Sequence, residues 1–343
     1  MWIEDKVTRQ NFVSFLKKLA KNQTFRVLVS VCILTILLVR LDNPHELWNT
    51  MREIPILLWV LVVVAFIAGH IIGVLKWRLF INLGTNKLPV FTAFRCYFAG
   101  LFSNFFLPSA VGGDVVRAGL AIHFNGEKEA VIIGSVLDRF LDTSSLGVII
   151  LIGALFSRTS LDRVDWSILL ILFISIVIVI VATFVFLVLP IPGIFPKKTI
   201  GFIERIKSVI KQLVRNPHRA ILGFLLAVFI QSSFVILSAI LGNACNIDLP
   251  LYAWFFAWPL AKLAAMIPIS LGGLGVREMA LAAFLNRFGV PEESSIGLGL
   301  LWETIIITGG AMGGIFYFLS RKSASNSNTL FPEMENIKGK AVN

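Results

Sequence analysis

The sequence predicts an all-α polytopic membrane protein with about six full spans and two broken, re-entrant helical hairpins arranged as an inverted repeat. Three observations carry that prediction. Only 15% of the 343 residues are charged and 57% are hydrophobic, against about 25% and 45–50% in soluble domains, and the mean hydropathy is +0.84. Several apolar runs reach eighteen residues or more, enough to cross roughly 30 Å of hydrocarbon. Two further apolar stretches are interrupted at Pro and Gly, and the interruptions resemble each other. Together these exclude a soluble enzyme, a nucleic-acid-binding domain and a disordered chain.

Taken in chain order, residues 1–23 form a polar, basic segment with an amphipathic portion, NFVSFLKKLAK. It is too polar and too long before the first apolar run to be a cleavable signal, so the first span is expected to be retained. Clear spans follow at about 24–41, 54–75, 131–156, 166–189, 219–242 and 294–319. The broken stretches are 88–121 and 251–290, inside repeat units of about 54–156 and 219–319. A single transmembrane domain thus covers 24–320, and the Ser- and Asn-rich tail 321–343 is expected to be disordered.

Loop charge orients the chain. Lys6, Arg9, Lys17, Lys18 and Lys21 precede the first span, Lys76, Arg78 and Lys87 follow the second, and Arg321 and Lys322 follow the last. The linker 190–218 carries Lys197, Lys198, Arg205, Lys207, Lys211 and Arg215. All four regions are expected to be cytoplasmic, so the chain is expected in the cell (plasma) membrane with both termini on the cytoplasmic side. The linker sequence GFIERIKSVIKQLVR sets Ile203, Ile206, Ile210 and Leu213 on one face, as in an amphipathic helix lying on the inner surface. The net charge of +11 is therefore read as membrane orientation and attraction to anionic lipid, not nucleic-acid binding. With these sides fixed, 88–121 has both ends inside and 251–290 both ends outside, which an even number of crossings or a re-entrant hairpin satisfies; the Pro/Gly break between two short helical runs favours the hairpin.

The repeat is explicit in FFLPSAVGGDVVRAGLA (Phe105 to Ala121) and AMIPISLGGLGVREMAL (Ala265 to Leu281). Pro108, Gly112, Gly113, Val116 and Arg117 match Pro268, Gly272, Gly273, Val276 and Arg277. Each stretch precedes a span with an acid, Asp138 in one and Glu303 in the other. Inverted repeats with broken helices place substrate sites near the midplane at the repeat interface.

The candidate binding residues follow from that arrangement. Gly112, Gly113, Gly272 and Gly273 permit sharp turns and close backbone approach, or simply tight packing. A half-helix opening after Gly113 or Gly273 would aim N–H groups and partial positive charge at an anion such as phosphate. Arg117 and Arg277, one turn on, could hold a phosphate bidentately, or pair with acids. Asp138 and Asp142 share one helical face with Arg139 adjacent. They suit an ion pair or polar cavity, or a site for a moving head group or coupling cation. Glu303 has no basic neighbour on its own helix, so it must face a cavity, pair with Arg277 or another distant arginine, or be protonated. Asp114 and Glu278 read as caps or neutralisers of the half-helices. His70, alone in its span, reads as a structural hydrogen-bonding group ahead of a proton relay. Gly309, Gly310, Gly313 and Gly314 form a helix-packing face first and a contact within a homo-oligomer second. Cys32, Cys96 and Cys245 read as buried small hydrophobes, and no metal-ligand spacing or nucleotide fingerprint is present.

The motifs GGDVVRA at 112–118, Asp138-Arg139 and PISLGGLGVRE at 268–278 resemble the transmembrane flippase-like domain of lysylphosphatidylglycerol synthases, over about residues 20–320. The resemblance implies movement of an aminoacylated phospholipid, a glycolipid, a polyprenyl-linked lipid or another polar lipid between leaflets. The soluble aminoacyltransferase domain of bifunctional members is expected to be absent, so transport rather than enzymatic chemistry is expected, without cofactor. The partner is then a membrane lipid with an anionic or phosphate-bearing head group, and a separate lipid-modifying transferase is a second candidate partner. The alternative is an intramembrane enzyme or accessory subunit acting on a membrane lipid or polyprenyl-linked glycolipid.

Overall fold

The computed structural model describes residues 54–104, 112–157, 197–267, 270 and 272–326, with isolated positions at 35, 167, 170, 171 and 174. The expected segments at 1–23, 24–41 and 166–189, the prolines Pro108 and Pro268, and residues 327–343 lie outside the described residues.

The described residues are helical. In chain order they form α1 (Ile56–Ile81), α2 (Val90–Ser103), α3 (Gly112–Asn125), α4 (Lys128–Phe156), α5 (Lys197–Arg215), α6 (Pro217–Ala244), α7 (Leu251–Ala265), α8 (Val276–Leu285), a 3-10 turn (Asn286–Phe288) and α9 (Glu292–Asn326). Proline punctuates the starts. Pro55, Pro89 and Pro250 occupy the N-cap positions of α1, α2 and α7, and Pro217 opens α6, sites where a missing N–H costs nothing. The helix α9 runs on to Asn326, past the point at which the sequence suggests a disordered tail.

Among the described residues, four helices are long and apolar enough to cross a membrane: α1, α4, α6 and the Glu292–Ser320 part of α9, with 26, 29, 28 and 29 residues. At 1.5 Å per residue they extend about 39–44 Å, beyond the roughly 30 Å of hydrocarbon. These are four of the six expected spans; the other two fall outside the described residues. By contrast α2, α3, α7 and α8 have 14, 14, 15 and 10 residues, or about 15–22 Å each. None of these four is long enough to cross alone. They fall within the two stretches that the sequence marks as broken, and Gly272, Gly273 and Gly275 lie in the turn before α8.

The helices pack reciprocally. Each half has the order long, short, short, long: α1–α4 and then α6–α9. The short helices pair as α2 with α3 and α7 with α8, then each pair leans on the opposite half, α2 on α9 and α7 on α4, while α1 packs on α6. Small residues permit these approaches. A Cβ on Gly134 would lie 2.7 Å from Ile81 N and 2.8 Å from Phe80 C, so α4 crosses the end of α1 backbone to backbone. Gly153 similarly abuts the Phe255–Phe256 backbone, and Gly100 and Gly113 face each other between α2 and α3. In α9, Gly309 seats Phe66 of α1, while Gly313 and Gly314 seat Phe98 and Phe102 of α2. The glycine-rich face is thus occupied within the chain.

Large apolar side chains that remain exposed, including Leu57, Val64, Val136, Leu225 and Phe229, point away from the core, as a lipid-facing surface requires. The core itself gathers Phe66, Phe234, Trp254, Trp258 and Trp302 in one cluster and Val74, Trp77, Leu88, Cys96 and Phe98 in another. The amphipathic helix α5 forms as the sequence suggests, but its apolar face is not simply laid on a membrane. Ile206, Ile210 and Leu213 pack against Phe80, Leu83 and Ile133 at the ends of α1 and α4.

Candidate functional site

The site begins with two acids one helical turn apart. Asp138 and Asp142 of α4 do share a face, and one lysine bridges them. Lys76 Nζ lies 2.8 Å from Asp138 Oδ1 and 2.6 Å from Asp142 Oδ1. Lys76 was expected to follow the second span as a cytoplasmic loop charge. Instead α1 continues to Ile81, and the side chain is 2% exposed. The correction has a plain cause: an ammonium is tolerated in the helix because α4 presents two carboxylates to it.

Arg117 of α3 completes this cluster. Its Nη2 lies 3.0 Å from Asp138 Oδ2 and 3.2 Å from Asp114 Oδ1. The guanidinium also sits over the rings of Trp77 and Tyr97, 5.1 and 5.0 Å from their centroids, a cation–π arrangement in a desolvated setting. Arg139, a third exposed, reaches Asp114 Oδ2 at 3.5 Å, the longest of these ion pairs. Lys76, Arg117 and Arg139 thus balance Asp114, Asp138 and Asp142 in charge.

The second cluster belongs to α8 and α9. Arg277 Nη2 donates to Glu278 Oε1 at 2.7 Å and to Glu303 Oε2. Of the routes open to Glu303, the structure shows both a pairing with Arg277 and a place on a cavity wall. The turn before α8 is built from glycines with left-handed backbone: φ is 61° at Gly272, 87° at Gly273 and 83° at Gly275. Other residues rarely adopt that conformation. At Gly273 a Cβ would also lie 2.7 Å from Ala265 Cβ.

The two half-helix openings differ from the simple expectation of free N–H groups. α3 starts at Gly112, and the Gly113 N–H donates to Asn104 Oδ1 at 2.8 Å. α8 starts at Val276, so Arg277 lies in its first turn, and the Gly275 N–H donates to Glu278 Oε2 at 2.7 Å. Each opening therefore carries an acceptor from the chain itself. Glu278 is a cap and an ion-pair partner at once, while Asp114 sits in the first turn of α3, where negative charge is favoured.

Between the clusters lies a cavity of about 270 Å³, the share of roughly nine water molecules in the liquid. Lys76, Arg139 and Asp142 line one side, Lys262, Arg277 and Glu303 the other, with Gly272 at the turn. Its walls are aromatic, from Phe66, Tyr97, Phe234, Trp258 and Trp302. His70 also faces it, with Nδ1 3.3 Å from Tyr97 Oη and its ring edge-on to Phe66. Four cations and two carboxylates line the space, and Asp138, Asp114 and Glu278 pair with Lys76, Arg139 and Arg277 from behind the lining. Asp142, Arg139, Arg277, Glu303 and Gly272 from the sequence-derived set border this space. Arg117, Asp138, Asp114 and Glu278 instead pair directly with cavity-lining residues or with each other. Gly113 is engaged in the α2–α3 contact, and Gly112 only opens α3.

Sequence reasoning missed Lys262, Gln231, Tyr97 and Asn104. The lysine carried a usable signal, since WPLAKLAAM places a charge inside an apolar stretch, and such charges mark functional positions by default. Gln231 and Asn104 carried none, because an amide in an apolar run has many structural uses.

No curated protein and no solved structure matches the chain. The family profile described as "Lysylphosphatidylglycerol synthase TM region" matches residues 23–312 of the 343. That span takes in every helix of the site, the two glycine breaks and both acid-bearing spans. The chain belongs to the family of lysylphosphatidylglycerol synthase transmembrane regions.

Proposed function

We propose that this protein is an integral-membrane lipid translocator that moves a polar, phosphate-bearing lipid between leaflets by alternating access. The observation that carries the reading is the cavity: a space lined by four cations and two carboxylates, enclosed by helices whose outer surfaces are apolar. Such a space gives a head group a polar route while its tails stay in hydrocarbon. Family membership supports a role in membrane-lipid handling.

In this reading the units 54–156 and 219–319 are inverted copies, and the pairs α2/α3 and α7/α8 are re-entrant hairpins meeting from opposite sides. Their lengths and the reciprocal packing of α2 on α9 and α7 on α4 support it. Both termini are cytoplasmic and the chain resides in the cell membrane; Arg78, Lys87 and the basic helix α5 support that orientation, although Lys76 no longer contributes to it. The ion pairs give the mechanism its moving parts. Arg139, with the longest pair and the most exposed side chain, is the first to exchange Asp114 for a head-group phosphate. Arg277, held by Glu278 on α8 and Glu303 on α9, couples the second hairpin to the last span.

The test is leaflet exchange of fluorescent lipids in liposomes containing the purified protein, with each lipid recovered and weighed by mass spectrometry. Protein-dependent exchange of chemically unchanged lipid is expected. Covalent modification of the lipid would favour the enzyme alternative. Inactivity alone, with activity restored by a co-purifying transferase, would favour an accessory subunit.

A further inference from the structure

We propose that the cavity selects a lipid head group of net negative charge, with Lys262 as the counter-ion of its phosphate, and rejects cationic head groups. The lipid's passage rests on the translocator reading; the charge preference does not.

The inference comes from matching every cavity cation with its acid. Lys76 has Asp138 and Asp142, Arg139 has Asp114, and Arg277 has Glu278 and Glu303. Lys262 has no carboxylate within ion-pair distance among the described residues. Its Nζ donates to the neutral Gln231 Oε1 at 2.6 Å and lies 5.2 Å from the centroid of the Phe234 ring. An ammonium has three donors, and a buried charge without a counter-charge is costly. A glutamate at 231 would neutralise this lysine with almost no change in size. Gln231, 6% exposed, holds the lysine in place and leaves its charge open.

An arriving phosphate supplies the missing charge. A lysyl-ester head group, with two ammonium groups to one phosphate, brings further positive charge beside a lysine that has no carboxylate of its own, whereas the other cations of the lining are already matched by acids. The shared chemistry is a phosphate anion, which a soluble metabolite could also offer. The aromatic wall of Phe234, Trp258 and Trp302 beside the lysine favours a phosphate with an attached acyl-glycerol.

The experiment is an equilibrium titration of the full-length protein in uncharged detergent, with three probes: dihexanoyl phosphatidic acid, dihexanoyl lysylphosphatidylglycerol and glycerol 3-phosphate. Phosphatidic acid is expected to bind at least about tenfold more tightly than the lysyl ester. Lys262→Arg keeps that preference and Lys262→Gln loses it. Gln231→Glu also loses it, with the lysine still present, and so carries the test if Lys262→Gln does not fold. Equal or tighter binding of the lysyl ester overturns the proposal, as does an unchanged preference in Gln231→Glu. Binding of glycerol 3-phosphate as tight as phosphatidic acid overturns the assignment to a lipid. Exchange in liposomes without charge preference refutes this inference alone, whereas charge-selective binding without exchange refutes the translocator reading alone.

Discussion

Asp138 is the residue on which the first cluster depends, and Asp138→Asn isolates its charge with little change of shape. The native carboxylate is 2% exposed, forms an ion pair with Lys76 at 2.8 Å and accepts from Arg117 at 3.0 Å. Removing one partner from a buried ion pair costs about 3–5 kcal/mol, because the other charge is left uncompensated. Here each cation keeps a second acid: Lys76 keeps Asp142 at 2.6 Å and Arg117 keeps Asp114 at 3.2 Å. The loss therefore falls at the lower end, about 3 kcal/mol. It is measured by reversible unfolding of the purified protein in mixed micelles with increasing denaturing detergent. Lys76→Met is added to make a double-mutant cycle. Once Asp138 is neutral, losing Lys76 removes one less ion pair, so the double variant is less unstable than the sum of the singles by more than about 1 kcal/mol. Additivity within about 0.5 kcal/mol would refute the reasoning, as would an Asp138→Asn protein as stable as the native one.

Four further outcomes follow from the same geometry. Gly134→Ala places a methyl 2.7–2.8 Å from backbone atoms of Phe80 and Ile81, so the unfolding midpoint falls by an amount equivalent to about 1–3 kcal/mol. Ile210→Glu puts a charge against Phe80 and Leu83, and trypsin then cuts at Lys207 and Lys211 faster than in the native protein, read by mass spectrometry of the fragments. Glu303→Gln removes one negative charge from the cavity lining, and dihexanoyl phosphatidic acid binds severalfold more tightly in the titration. Cys96 and Cys245, 0% and 4% exposed, stay unmodified by a water-soluble maleimide until the protein is unfolded, as peptide masses will show.

The long spans were legible because lipid imposes a single demand, continuous apolar length, and α1, α4, α6 and α9 meet it openly. The turn before α8 was legible because Gly272-Gly273 interrupt an apolar run, whereas Gly112-Gly113 open α3 and pack it against α2. The acids were legible as polar intruders, and their i,i+4 spacing put Asp138 and Asp142 on one face, but did not reveal the lysine that joins them. What escaped was partnership across helices. Lys76 sits at the end of an apolar run, where a loop charge and a buried ion pair look identical until α4 is packed against it. The capping of α3 by Asn104, nine residues before Gly113, depends on α2 and α3 packing side by side and leaves no local pattern. Gln231 and Lys262 come from different helices, and only their meeting gives either one a role. For α5, the apolar stripe was plain, but a membrane surface and the ends of α1 and α4 are equally apolar hosts.

In the proposed mechanism the head group crosses through the cavity between α1–α4 and α6–α9, and a bulky side chain placed as a plug in that cavity would block it. Thr143 lines that cavity from α4, and Val136 projects outward from the same helix with 63% exposure. Leaflet exchange is measured in liposomes carrying equal amounts of native, Thr143→Trp and Val136→Trp protein. The account predicts that the indole at 143 abolishes exchange while the indole at 136 leaves it at the native rate. Native exchange with the plug in place, in a protein shown to be folded, would contradict it.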